Sequence, residues 1–456
     1  MKKFLDRLPA GRCLAAMSRY ITRRYPSMQM ALPTARMGNR ARLLVNGNEA
    51  LPVMLDMIET ARKSIRWQVM LFHPDEIGER LVLALAQAAR RGVEVQLSFG
   101  IDQSMNGSPA DRVPRVVQSA NQHSMQRLLG VLRGAGVDVR ENRAGAGSRL
   151  GAAGARAGSI QQSINRAVCI PANHYDHRKL LIVDDVTALV GGMNVGRHYL
   201  YDSAPELTLA MPAEARQRQL RGQPEAWDKW LDVSVVVQGP IVAEIGAAFD
   251  WKWAVLGGTP LSGSMLGGAP AASDWPGTGW FETVPAQFLE QRPGSPEVGA
   301  RFFALVQAAR QEVWVASPFV SYTPAMAALR AAARRGVRVT VVVPDAFQEM
   351  PVSARIFREF VPDLLADGVE VWFNDLRMAH TKLLVVDRQV LLLGSFNLNF
   401  RSFLHDLEVA LVFEDERLAQ EAMQRVFLPY LAISRQIETF RRPSFSLLNW
   451  LVRPFS

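Results

Sequence analysis

Residues 177–184 read HRKLLIVD and residues 380–387 read HTKLLVVD, with the same H-x-K-x-x-x-x-D spacing. After each Asp six residues pass before a small-residue turn, GGMN at 191–194 and GSFN at 394–397. Other segments recur in the same order. AARRGVEV at 88–95 matches AARRGVRV at 332–339, AGVDVREN at 135–142 resembles DGVEVWFN at 367–374, and LDVSVVV at 231–237 resembles LEVALVF at 407–413. A repeat of this length is a duplicated domain rather than a short solenoid unit. Whatever one half folds into, the other half must also adopt.

Each half reads as an α/β layered domain. In the first, SIRWQVMLF alternates as a strand, Glu79 to Arg91 carries apolar residues at helical spacing, and Gly92 stops that helix before the strand VEVQL. The second repeats this with EVWVASPF, a helix from about Pro324 to Arg335, Gly336 and VRVTVVV. Strand, helix and strand at this length imply a right-handed parallel crossover. LLIV and LLVV, short and aliphatic, read as strands buried on both faces inside each sheet.

The copies differ by insertions. A Gly/Ala/Arg-rich stretch at about 143–173 precedes the first motif, and another at about 200–226 follows GGMN. Both are expected to be loops. The organisation expected is an N-terminal segment at 1–40, a first domain at 41–253, a Gly/Pro-rich linker at 254–298, a second domain at 299–430 and a C-terminal segment at 431–456. A structureless link that long is unusual, so part of it should pack against the rest.

The chemistry follows from the repeated residues. His177 and Lys179 lie two apart and aim at one place, as do His380 and Lys382. Across a pseudo-twofold, two imidazoles, two ammoniums and the amides of Asn194 and Asn397 would surround one point. That set suits a phosphodiester: cations and amides hold the nonbridging oxygens, one imidazole attacks phosphorus and the other protonates the leaving oxygen. Gly192 and Ser395, in the turns, join the candidate substrate-binding residues. Asp184 and Asp387 complete the motifs but sit at strand ends, where a structural role is expected rather than acid–base work. A metal site is the weaker reading, because no His/Asp/Glu or Cys cluster repeats with ligand spacing and each His has a Lys beside it. His73, His174 and His405 lie outside the motifs and are expected to be ordinary surface or loop residues.

Net charge is +9, which favours anionic partners, either phospholipid headgroups or nucleic acid. The two cysteines, Cys13 and Cys169, make no disulfide framework. No segment approaches a membrane span of roughly 20 apolar residues, and MKKFLDRLPAGRCLAAMSRY has no continuous apolar core, so no secretory signal is expected. That segment and RRPSFSLLNWLVRPFS at the other end mix Lys and Arg with apolar residues, as does a helix lying on a membrane. A tail packed on the protein fits the same pattern.

The paired HxKxxxxD, each with G-G/S-x-N behind it, resembles the phospholipase D superfamily over about residues 40–430. LLVNGNEALPVMLDMIETARKSI, VVVQGPIVAEIGAAFDWKW and GSFNLNFRSFLHDLEV look similar to bacterial cardiolipin synthases of the kind without N-terminal membrane helices. The resemblance implies two α/β sandwich halves related by a pseudo-twofold and sharing one site, no metal or other cofactor, and a phosphohistidine intermediate. It also implies an acidic residue that orients each histidine, placed by the repeat as Asp232 for His177 and Glu408 for His380. Departures are Gln68 where a Glu is usual, Gly192 where the second motif has Ser395, and the insertion before His177. The expected activity is phosphatidyl transfer forming cardiolipin from phosphatidylglycerol and a second phospholipid, with His177 as nucleophile and His380 as general acid. Hydrolysis to phosphatidic acid and a nuclease of the same superfamily are the alternatives. The expected setting is peripheral, on the anionic cytoplasmic face of a bacterial inner membrane, and nucleic acid is not an expected partner.

Overall fold

The computed structural model describes residues 32–101, 104, 115–142, 175–205, 229–261, 279–292, 295–345, 351–374 and 377–443. The first half supplies β1 (Arg36–Val45), β2 (Ser64–Gln68), β3 (Glu94–Phe99), β4 (Asp138–Glu141), β5 (Leu180–Val183), β6 (Thr187–Gly191) and β7 (Val233–Gln238). The second supplies β8 (Phe281–Arg292), β9 (Ser295–Pro296), β10 (Glu312–Ala316), β11 (Arg338–Pro344), β12 (Glu370–Asn374), β13 (Leu383–Val386), β14 (Val390–Gly394), β15 (Glu408–Glu414) and β16 (Arg435–Ile437).

All belong to one sheet, ordered β16-β12-β11-β10-β13-β14-β15-β8-β1-β7-β6-β5-β2-β3-β4, with β9 paired to β8. Outward from the β8–β1 junction the two directions correspond strand for strand as far as β12 and β4, with β16 added at one edge, so the duplication seen in the sequence is a symmetry of the sheet. The expected parallel crossovers are present: β2 pairs parallel with β3, setting Ile65 opposite Val95, and β10 with β11, setting Val313 opposite Val339. The intervening helices are Glu76–Arg90 and Thr323–Arg334. The first starts three residues before the apolar pattern does, because the Asp75 side chain accepts from the Gly78 N–H and caps it.

The short aliphatic runs behave as strands buried on both faces. Leu180 and Ile182 enter one apolar cluster, while Leu181 and Val183 enter another; Leu383 and Val385 separate from Leu384 and Val386 in the same way. The cluster on one face is common to both halves and takes in the helix Ile241–Val255. The opposite face has a separate cluster in each half. Contacts of β14 and β15 with β6 and β7, which are not their neighbours in the sheet, fold the halves face to face over the shared core.

The expected boundaries shift in three places. Residues 36–40 belong to β1, which pairs with β7, rather than to an N-terminal tail. The stretch read as the linker contains β8, which pairs with β1 and β15 and so joins the halves. Gly and Pro density misled there, because it lies mainly outside residues 281–292. Residues 435–437 form β16 on β12 and belong to the second sheet half. The basic-apolar stretches at 1–31 and 444–456, most of both insertions, His174 and both cysteines lie outside the described residues.

Asp184 and Asp387 lie at the opposite ends of β5 and β13 from the histidines. Each opens the tight turn of a hairpin, with φ of 55° at Asp184 and 51° at Asp387. The Asp184 carboxylate accepts the backbone N–H groups of Arg62, Lys63 and Ser64 at 2.9, 2.7 and 2.8 Å. Asp387 does the same for Arg310, Gln311 and Glu312 at 3.0, 2.8 and 2.9 Å. Each motif carboxylate therefore ties its hairpin to the entry of the adjoining parallel strand. Asp387→Ala leaves three amides without their acceptor and is expected to lower stability by about 1–3 kcal/mol. Denaturant unfolding checks this; a loss of activity in fully folded Asp387→Ala protein would instead make this carboxylate a working part of the site.

Candidate active site

His177 and Lys179 lie in the segment leading into β5, and His380 and Lys382 in the equivalent segment before β13. Each leading segment is held by the other half. Asp176 forms a parallel bridge to Leu407 and Ala379 to Leu231. The His177 N–H donates to the Leu407 carbonyl at 2.9 Å, and the His380 N–H to the Leu231 carbonyl at 2.7 Å. The residue after each of those carbonyls is an acid, Glu408 or Asp232.

The bridges cross the expected pairing. Glu408 holds His177, with Oε2 2.9 Å from Nδ1, and Asp232 holds His380, with Oδ2 2.7 Å from Nδ1. The repeat matches each acid to the histidine of its own half, but the backbone docks each acid-bearing strand against the motif of the other. His177 Nδ1 also lies 3.1 Å from the Ser395 carbonyl oxygen. Both neighbours accept only, so Nδ1 of His177 carries the proton and Nε2 keeps its lone pair.

The two carboxylates are supported differently. Glu408 accepts from the hydroxyls of Ser395 and Ser402, each at 2.5 Å. Asp232 accepts from the Val233 N–H at 2.8 Å. Ser395, expected at the substrate, thus has its hydroxyl on Glu408. Gly192 takes the same place in the first half because a Cβ there would come within 2.5 Å of Asp232 Oδ1. Its contribution is the room it leaves. Asn194 Oδ1 accepts from the Leu71 N–H at 3.2 Å, which leaves the amide nitrogen as its donor. Asn397 is equally buried, and its backbone N–H donates to Ser402 Oγ at 3.1 Å.

All six ionisable groups are buried, and the charges act across the seam. Burial first, then Lys179 and Lys382, hold His177 well below the usual histidine range. Burial, Lys382, Lys179 and His177 do the same to His380. Burial pushes Glu408 and Asp232 each up to about 7. It pulls Lys179 down to about 8 and Lys382 to about 7. Burial in this site thus disfavours charge of either sign. A bound phosphodiester would shift the lysines and imidazoles back toward their protonated forms. Among the described residues no group of His, Cys, Asp or Glu is arranged to hold a metal ion.

Sequence reasoning missed two layers. Under His177, Arg178 makes a two-pronged ion pair with Asp176, Nε–Oδ1 and NH2–Oδ2 both at 2.9 Å. Arg178 also donates to Gln68 Oε1 at 3.1 Å and to the Ala248 carbonyl at 2.9 Å. The departure at Gln68 therefore sits in a buried network behind the histidine. Around His380 stand Tyr199, Trp230 and Phe319, with ring centroids at 5.3, 5.4 and 6.4 Å. The second half replaces the Arg178 network with Thr381, whose hydroxyl pairs with that of Tyr430 at 2.6 Å. Apart from Tyr430, these residues lie within a few positions of a repeated segment but differ between the copies, so the repeat did not expose them. His405, expected at the surface or in a loop, is instead buried at the C-terminal cap of the helix Phe400–Leu404, and the His73 N–H donates to the Val195 carbonyl.

Known proteins are similar to this chain. A cardiolipin synthase A of Pseudomonas fluorescens is 29% identical over 405 residues, covering 88% of this chain and 70% of that protein. One of Pseudomonas aeruginosa is 30% identical over 389 residues, covering 84% of this chain and 65% of that protein. The crystal structure of a phosphatidylserine synthase of Haemophilus influenzae superposes with a TM-score of 0.60 at 14% identity, covering 91% of this chain and 95% of that one, which places the fold. Residues 54–223 and 302–427 match the family described as cardiolipin synthase, PLD-like domain. With that match over most of its length, and with both motifs meeting in one buried site, the chain belongs to the cardiolipin synthase, PLD-like domain family.

Proposed function

We propose that the protein is a phosphatidyltransferase that forms cardiolipin from phosphatidylglycerol and a second phospholipid through a phosphohistidine. The observation that carries this reading is the pair of buried imidazoles, each tied through Nδ1 to a carboxylate and flanked by a lysine. His177 is the nucleophile. Its Nε2 attacks phosphorus, the P–N bond forms, and the bond to the leaving glycerol oxygen breaks while His380 gives that oxygen a proton. The hydroxyl of the second lipid then gives its proton to His380 and attacks phosphorus, and the P–N bond breaks.

Glu408 supports this order of roles. The imidazole that bears phosphorus becomes cationic, and the carboxylate beside His177 has two hydroxyl donors to keep it ionised. His380 must be protonated for the first step. The lysine charge that, after burial, opposes this is offset once the donor's phosphodiester enters, so proton uptake accompanies donor binding. Lys179, Lys382 and the two Asn amides hold the phosphate oxygens as charge develops.

Among the described residues no helix is long and apolar enough to cross a membrane. The proposed setting is peripheral, on the anionic cytoplasmic face of a bacterial inner membrane, held by the basic-apolar ends. Attraction to such a surface is worth about 1 kcal/mol per Lys or Arg. Removal of residues 1–31 or 444–456 is expected to weaken binding to phosphatidylglycerol vesicles more than it lowers turnover of detergent-dispersed substrate. Equal vesicle affinity in the shortened chains would reject the anchoring role.

Phosphatidylglycerol vesicles with the purified protein, in EDTA, are expected to yield cardiolipin and glycerol by mass spectrometry. Phosphatidic acid alone would indicate hydrolysis, and DNA cleavage without lipid turnover a nuclease. A quenched reaction with labelled donor is expected to place the adduct on His177. His177→Asn should form none and His380→Asn should form it slowly; an adduct on His380 in the unsubstituted protein reverses the roles.

Ser402 provides a test by pH. The step needs Glu408 ionised, so activity falls as pH drops through its value of about 7. Ser402→Ala removes a donor to the ionised form and should raise the acid limb of adduct formation by about one pH unit. Ser402→Thr should restore it. An unmoved limb in Ser402→Ala would show that this hydroxyl does not tune the carboxylate.

A further inference from the structure

The duplication allows each residue around His380 to be compared with its counterpart around His177. Five residues past the turn Asn stands Tyr199 in the first half and Ser402 in the second. Two residues ahead of the acid stands Trp230 in the first and Asp406 in the second. Because the halves cross, the first-half residues serve His380 and the second-half residues serve His177. Tyr199 packs edge-on against the His380 ring and Trp230 lies tilted beside it, at 5.3 and 5.4 Å. Ser402 donates to the carboxylate that holds His177. Asp406 accepts from the Tyr175 N–H at 3.0 Å and is paired with Arg401, next to His177. A third position agrees: Phe319 faces His380 at 6.4 Å, and its counterpart by strand register is Leu71.

Beyond the carboxylate and lysine that each histidine has, with Lys382 Nζ 2.9 Å from both ring nitrogens of His380, the surroundings differ: polar at His177 and aromatic at His380. The aromatic side is also braced as a unit. Trp230 stacks with His198 at 5.7 Å and meets Tyr199 edge-on at 4.7 Å, and its carbonyl accepts from the Tyr201 hydroxyl at 2.7 Å. Tyr199 is buried, while Trp230 and Phe319 are half-buried, so the rings lie at the margin of the site.

We propose that Trp230, with Tyr199 and Phe319, determines the acceptor, favouring a lipid hydroxyl over water at the second step. His380 is the base for that step. A water molecule beside it would find Lys382 on one side but, on the other, rings that offer little hydrogen bonding in place of bulk solvent. A lipid acceptor brings its own apolar and glycerol surface to those rings and is favoured by burial. In both outcomes the acceptor O–H proton goes to His380, a P–O bond forms and the P–Nε2 bond to His177 breaks. Water yields phosphatidic acid and the lipid yields cardiolipin.

This deepens the transfer reading and rests on it, and product partition separates the two. The full chain is given phosphatidylglycerol in detergent micelles, and cardiolipin and phosphatidic acid are quantified together by mass spectrometry. Trp230→Ala and Phe319→Ala are each expected to raise phosphatidic acid relative to cardiolipin severalfold, and Trp230→Phe to keep the original ratio. An unchanged ratio in both alanine variants, with cardiolipin made by the unsubstituted protein, overturns the acceptor role and leaves transfer standing. Phosphatidic acid alone from the unsubstituted protein overturns transfer itself. If Trp230→Ala fails to fold by circular dichroism, the half-buried Phe319→Ala decides the matter alone.

Discussion

Two hydrogen bonds that cross between the halves, Glu408 to His177 and Asp232 to His380, govern the organisation of this molecule. Neither histidine has its carboxylate unless the other half is docked. The docking is specified by backbone: the motif of each half adds a parallel bridge to the start of the acid-bearing strand of the other. The shared apolar core and the join made by β8 and β1 keep those bridges in register. Fold stability and site geometry are therefore the same problem here, solved along one seam.

The seam also concentrates charge where charge is costly. Two lysines, two histidines and two carboxylates are buried together, and removing one partner of such a set typically costs several kcal/mol. Desolvation pulls the two lysines down and the two carboxylates up until both kinds stand near neutrality. The imidazoles fall well below their usual range, so His380 gains its proton only as the anionic donor offsets the lysine charge around it.

Much of this was legible in the sequence. Period-two burial of LLIV and LLVV, the helices closed by Gly92 and Gly336 and the parallel crossovers follow from local pattern, and local pattern repeated twice is hard to misread. His177, Lys179, His380 and Lys382 were found from spacing alone. The partner of each histidine was not, because a repeat establishes which residues are equivalent but carries no information on which copy docks with which. The structural duty of Asp184 and Asp387 was read from their place at strand ends, and the amides they accept lie more than 70 residues away in the chain. β8 was hidden by the Gly and Pro around it. The Asp176–Arg178–Gln68 network and the rings at His380 escaped notice because the copies differ there.

Both halves are carried on one chain, and this has a consequence for how the centre is free to vary. Two identical halves meeting about a true twofold would have to present the same side chain at equivalent places, so any ring set against one imidazole would be set against the other. Covalent fusion removes that obligation. Tyr199 and Ser402 descend from one position in the repeat yet no longer answer to a common requirement. Near-symmetry is retained where both imidazoles need the same support and abandoned where they do different jobs. The single chain thereby holds two dissimilar work surfaces within a frame that a homodimer would be compelled to keep alike.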